Sequence, residues 1–133
     1  MMKKLCVLLL VALAFTSCEK EEGEGGNSVI KGKVKVREYT AFPILYTERE
    51  ASDEDIYIIY GDDDDTFDDR TRTSFDGSYK FEFLTKGNYR VFVYSEDTNL
   101  TTFGEKIPII LDAKISKNKS EVSLDDITII KLN

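Results

Sequence analysis

Between Ile30 and Arg37 the chain alternates without a break, with Ile30, Gly32, Val34 and Val36 in one parity and Lys31, Lys33, Lys35 and Arg37 in the other. Successive side chains of an extended strand point to opposite faces, so this octet has one apolar and one cationic face. A helix would scatter both sets around its circumference. The octet therefore predicts a half-buried strand. Ile56 to Tyr60 is apolar in both parities and rich in β-formers, which predicts a central strand, and Thr71 to Phe75 is more polar. In Ser78 to Leu84 the parity of Tyr79, Phe81 and Phe83 is turned toward the core. In Tyr89 to Ser95 that role falls to Tyr89, Val91 and Val93, with Phe92 and Tyr94 on the other face. Pro108 in Ile107 to Ala113 cannot donate a ladder hydrogen bond, so that run is expected at an edge or a bulge. Ile127 to Leu132 closes the chain.

Turn residues separate these runs. Asp76-Gly77 lies between Thr71–Phe75 and Ser78–Leu84, and Lys86-Gly87 lies between Leu84 and Tyr89, so both read as hairpin turns. No stretch has the 3.6-residue period of an amphipathic helix. The expectation is an all-β, antiparallel Greek-key sandwich of about seven strands. The stretch Glu38 to Asp53 has no place in that pattern.

The first residues read differently. Lys3-Lys4 precede the apolar run Leu5 to Phe15, and Thr16 and Ser17 follow it, which is the order of a secretory signal. At about 1.5 Å per residue the run is roughly half of what a bilayer core requires. Phe15-Thr16-Ser17-Cys18 resembles the lipobox of bacterial lipoproteins, which implies cleavage before Cys18 and acylation of that cysteine. Two or more acyl chains would hold the protein firmly to a membrane. The segment from Glu19 to Ser28 has no apolar residue and reads as a flexible acidic tether. Glu19, Glu21 and Glu22 around Lys20 resemble the export signal that places Bacteroidota lipoproteins on the cell surface. The expected location is thus the outer membrane, surface-exposed, with a periplasm-facing orientation as the alternative. The expected divisions are a signal peptide over 1–17, the lipidated cysteine and tether over 18–28, and the sandwich over 29–133.

Composition then narrows the chemistry. The chain has 18 Lys and Arg, two of them Lys3 and Lys4 in the leader, against 25 Asp and Glu, all after position 17. A nucleic-acid partner needs a basic patch and is not expected. There is no histidine, which removes Ser-His-Asp and Cys-His triads and His metal sites, and Cys6 and Cys18 are the only cysteines. A sandwich of this size offers little cleft for a pair of carboxylates with split pKa values. No enzyme activity is expected.

Ile30-Lys31-Gly32-Lys33-Val34, Thr73-Ser74-Phe75-Asp76-Gly77-Ser78-Tyr79-Lys80-Phe81 and Leu84-Thr85-Lys86-Gly87-Asn88-Tyr89-Arg90-Val91 together resemble the carboxypeptidase-regulatory-like and transthyretin-like (prealbumin-like) sandwiches. The resemblance covers about half of the chain after the leader. It implies a fold and a role as a stalk, adaptor or binding module rather than a catalyst.

Two further features are candidates for a site. Asp62, Asp63, Asp64, Asp65, Asp68 and Asp69 put six carboxylates into eight residues, a density that suits either a solvated loop or a calcium site. The spacing is not that of an EF-hand loop, because Thr66 and Phe67 fall where a ligand and a glycine belong. Tyr39, Tyr46 and Tyr57 could stack on sugar rings or pack at the core and its edges. The reading is a membrane-anchored binding, adhesion or scaffolding module for an extracellular protein or glycan, without cofactor. A calcium-dependent loop domain and an accessory glycan-binding lipoprotein of an outer-membrane uptake system are the alternatives.

Overall fold

The computed structural model describes residues 21–62 and 65–133. Among them nine strands form two sheets, and there is no helix. The strands are β1 (Glu24–Ala41), β2 (Leu45–Glu50), β3 (Asp55–Tyr60), β4 (Asp69–Arg72), β5 (Ser78–Leu84), β6 (Gly87–Glu96), β7 (Lys106–Ile115), β8 (Glu121–Ser123) and β9 (Ile127–Leu132).

The first sheet is organised around β1. Its first half lies between β5, antiparallel, and β8, parallel; its second half lies between β2, antiparallel, and β9, parallel. Val34 marks the change of partner on one side, donating to the Gly77 carbonyl at 2.9 Å and accepting from the Ala51 amide at 3.0 Å. The second sheet has the order β4-β3-β6-β7, all antiparallel. Ile30, Val34, Val36, Phe81, Ile127 and Ile129 from one sheet meet Ile56, Ile58, Tyr89, Val91, Val93 and Ile115 from the other. Each such side chain contributes about 1.5–3 kcal/mol of burial. The alternation of Ile30 to Val36 and the inner position of Ile56 to Tyr60 follow the sequence pattern, and Pro108 sits on the edge strand β7.

Five expectations are corrected. There are nine strands rather than about seven, and the sandwich is not wholly antiparallel, because β8 and β9 both run parallel to β1. The stretch Glu38 to Asp53 is the end of β1, a turn and the edge strand β2.

The turns at Asp76-Gly77 and Lys86-Gly87 are present but close no hairpin. Each carries the chain from one sheet to the other, since β4 and β6 lie in the second sheet and β5 in the first. Asp-Gly fixes a reversal of the backbone, and here the Asp76 carboxylate accepts from both the amide and hydroxyl of Ser78, at 3.1 and 2.6 Å. Nothing in the dipeptide requires the flanking strands to pair.

The fourth correction is Phe83, expected in the core and found 67% exposed at φ 59°. Between Ser28 and Ile30 of β1 the register on β5 moves from Leu84 to Phe81, one residue more than β1 advances. That bulge shifts the alternation by one and turns Leu84 inward in place of Phe83.

The last concerns the tether, expected through Ser28. Residues Glu24 to Ser28 belong to β1, Ser28 is buried, and the Asn27 side chain accepts from the Lys119 amide at 2.8 Å. Its glycines are structural: a Cβ on Gly26 would lie 2.1 Å from the Leu84 carbonyl oxygen.

Candidate functional site

The acidic loop joins β3 to β4, and its described carboxylates go to separate donors. Asp68 accepts from the Tyr60 amide at 2.7 Å and Asp69 from the Arg70 amide at 2.8 Å. Asp62 accepts from the Asn88 side chain at 3.3 Å, and Asp65 pairs with Arg90 at 3.3 Å. Among the described residues no three acidic or other ligating side chains converge as a metal would require. Asp63 and Asp64, like Cys18 and Glu19, lie outside the described residues.

The outer face of the second sheet is aromatic. Tyr57 of β3 is directly opposite Phe92 of β6, and the register then sets Phe92 against Ile110 and Tyr94 against Pro108 of β7. The Tyr57 and Phe92 rings stack at 4.9 Å and 13°. Phe67 from the acidic loop closes on Tyr57 at 4.8 Å, and Tyr94 stands edge-on to it at 5.7 Å. Phe92 is the buried floor of this cluster, whereas Phe67, Tyr94 and Ile110 are largely open to solvent.

At the end of the face is a cavity of about 210 Å³, lined by Tyr57 and Tyr94 together with Asp55, Glu96, Lys106 and Lys131. Several of its charged groups are held in place: Lys131 pairs with Glu54, Asp55 with Arg72 at 3.1 Å, and Glu96 accepts from the Leu132 amide. Flat rings therefore adjoin fixed donors and acceptors. Such an arrangement can stack a flat apolar surface of a ligand while hydrogen-bonding to its polar groups.

A second aromatic group forms where the β1–β2 turn meets the β6–β7 loop. Tyr39 contacts Phe42 at 5.0 Å and Tyr46 at 5.1 Å, Phe42 contacts Phe103 at 5.4 Å, and Arg37 lies over the Tyr46 ring at 4.9 Å. In the same turn and loop, Ile44 and Leu100 are 86% and 97% exposed.

A wider hollow of about 840 Å³ is lined by Lys31, Lys33, Arg72, Ser78, Tyr79 and Asp126, among others. The Tyr79 hydroxyl is buried there with no hydrogen-bond partner, and burial, with a smaller contribution from the Asp126 charge, pushes its pKa up to about 12.

Of the three tyrosines singled out in the sequence, Tyr57 is in the sheet-face cluster, Tyr39 is buried at the base of the tip, and Tyr46 is exposed there. Phe42, Phe67 and Phe103 are the additions. All three sit in turns or loops, where no alternation marks which way a side chain turns.

No protein-family model matches the chain, and no curated protein matches it. Among solved structures it is similar to a proposed carbohydrate-binding protein from Pseudomonas aeruginosa. That likeness has 11% identity and a TM-score of 0.44, over 82% of this chain and 91% of the other. No residue role is transferred from it.

Proposed function

We propose that the protein is a non-catalytic saccharide-binding module, anchored to the outer membrane through Cys18 and facing outward. The observation that carries the ligand class is the aromatic face of Tyr57, Phe67, Phe92 and Tyr94 running into the small charged cavity beside Asp55 and Lys106. Stacking on exposed rings is sequence-economical, and each sugar hydroxyl can bridge a carboxylate and an ammonium group. The cavity suits a single ring, with further rings of a chain lying along the face.

A panel of neutral and acidic oligosaccharides tests the reading, using wild type and Tyr94→Ala. Tyr94 is 44% exposed, so its loss leaves the fold intact. At least one oligosaccharide should bind the wild type in the micromolar to millimolar range and bind Tyr94→Ala tenfold or more weakly. Equal binding by both proteins, or none across the panel, would sink the assignment.

Anchorage is tested separately. A fatty-acid analogue fed to cells should label the wild type and not Cys18→Ala, and an impermeant protease should remove the domain from intact cells.

A further inference from the structure

A hydroxyl buried without a partner costs stability, and in folded proteins nearly every buried polar group finds one in the protein or in ordered water. Tyr79 is an exception: the residue is 4% exposed, and its hydroxyl has no hydrogen-bond partner. Gly32, opposite Tyr79 in the ladder, makes the placement possible, because a Cβ there would lie 2.5 Å from the hydroxyl oxygen. The first half of β1 lies between β5 and β8, so a ring that leaves β5 across Gly32 points toward the β8–β9 link. That link is fixed beside β1 by the Leu124 amide, which donates to the Lys31 carbonyl at 2.8 Å, and the charge of its Asp126 acts on the Tyr79 hydroxyl. Gly32, Tyr79 and Asp126 all line the hollow of about 840 Å³.

Most of the cations around that hollow are already answered. Lys31 pairs with Glu121 at 2.9 Å, Lys80 with Glu82 at 2.8 Å, and Arg72 with Asp53 and Asp55 at 3.2 and 3.1 Å. Among the described residues, the lining side chains left without a hydrogen bond or ion pair include the Tyr79 hydroxyl, the Asp126 carboxylate, the hydroxyls of Thr71, Ser74 and Ser123, and the Lys33 ammonium. A carboxylate only accepts, an ammonium only donates, and hydroxyls do both. The complement of such a set is a molecule dense in hydroxyl groups, which accept from Tyr79 and Lys33 and donate to Asp126. A simple anion would be opposed by Asp126, and a simple cation by Lys33. The volume falls within the range of about 300–1,000 Å³ usual for small-molecule pockets.

We propose that this hollow is a second ligand site, which takes a neutral polyhydroxylated molecule, a sugar or a cyclitol, by its hydroxyl groups, with Tyr79 as the buried donor. The ligand supplies the hydrogen bond that the folded chain leaves unmade. None of Tyr57, Phe67, Phe92 and Tyr94 lines the hollow, so the site is distinct from the aromatic face and does not rest on that reading. It holds hydroxyls, where the aromatic face holds the flat side of a ring.

The probes are glucose, mannose, galactose, myo-inositol and sorbitol, with sodium sulfate and ammonium chloride as ionic controls, and the readout is the amide chemical shifts of the protein. At least one polyol should shift the amides of Gly32, Tyr79 and Asp126 saturably in the millimolar range, and neither salt should. Tyr79→Phe should weaken that polyol tenfold or more while melting at a higher temperature than wild type, a pairing of effects that a purely structural hydroxyl does not give. Asp126→Asn should weaken it several-fold, and Tyr94→Ala should bind as wild type does. The proposal is overturned if no polyol shifts these amides, since the hydroxyl is then met by water alone, or if Tyr79→Phe binds equally. It is also overturned if Tyr94→Ala abolishes the shifts, which would put the ligand on the aromatic face, or if sulfate saturates the same amides, which would make the occupant an anion.

Discussion

The Tyr89 hydroxyl accepts a hydrogen bond from the Gly23 amide at 2.9 Å, across 66 residues of sequence. The same hydroxyl donates to the Thr85 carbonyl at 2.8 Å, and the Thr85 hydroxyl donates to the Glu21 carbonyl at 2.8 Å. One buried tyrosine thus ties Gly23, and through Thr85 also Glu21, to the β5–β6 turn. If the chain is anchored through Cys18 as proposed, this clasp would be the point at which a pull reaches the domain.

The first prediction follows from that clasp. Tyr89→Phe keeps the ring but leaves the Gly23 amide without its acceptor, which should cost about 1–3 kcal/mol. Urea melts should show the loss, and amide exchange near Gly23 should quicken more than in β6. Unchanged exchange would mean that the clasp does not hold the segment.

Tyr79 gives a prediction of opposite sign. Its hydroxyl is buried without a partner, so Tyr79→Phe should raise stability by about 1 kcal/mol. The same group makes the wild type sensitive to alkali. Its pKa rises from 10.0 to about 12 in the fold, mainly through burial, and Tyr60 rises likewise to about 12. The unfolded chain therefore loses these protons first. The stability from keeping both tyrosines neutral is complete below pH 10 and is lost as pH climbs toward 12. Melts across that window should fall steeply in the wild type and less so in Tyr79→Phe.

The third prediction concerns the acidic loop. Asp62, Asp65, Asp68 and Asp69 are each bound to a different donor, so their mutual repulsion should be relieved by any salt. Melting temperatures in calcium, magnesium and sodium at equal ionic strength should agree. A rise specific to millimolar calcium, lost when Asp62, Asp64 and Asp68 become Asn, would show a metal site instead.

These examples separate what the sequence discloses from what it does not. Alternation is a local property, and it marked Ile30 to Val36 and Tyr89 to Val93 as strands because each buries one parity against the opposing sheet, whereas Ile56 to Tyr60 was marked by being apolar in both parities. Partner choice is not local. Asp76-Gly77 specifies a reversal but not whether Thr71 and Ser78 then pair, and here β4 pairs with β3 in one sheet while β5 pairs with β1 in the other. The parallel pairing of β8 and β9 with β1 spans most of the chain and leaves no mark on either strand's own pattern. Glu24 to Ser28 read as tether because polarity and glycine are what a tether and a closely covered strand have in common. The aromatic face was half legible, since Tyr57, Phe92 and Tyr94 occupy strand positions of one parity, while Phe67 comes from a loop.

The last prediction uses two phenylalanines in one strand that alternation alone would treat alike. Phe81 is 4% exposed within the core, so Phe81→Ala should cost about 3–5 kcal/mol through lost burial and the cavity left behind, enough to unfold a marginal domain. Phe83 has the same parity but follows the bulge, with its side chain mostly in water and its backbone at φ 59°. A left-handed conformation costs a residue with a Cβ about 1–2 kcal/mol, and glycine escapes that penalty. Glycine also gives the unfolded chain more freedom, which offsets about 0.5–1 kcal/mol. The difference favours Phe83→Gly by about 0.5 kcal/mol, so two substitutions two residues apart should move the urea midpoint in opposite directions. Phe83→Ala, which keeps the strain and loses little burial, should lie near wild type. If Phe83→Gly destabilises as much as Phe81→Ala, the bulge is misplaced and Phe83 faces the core after all.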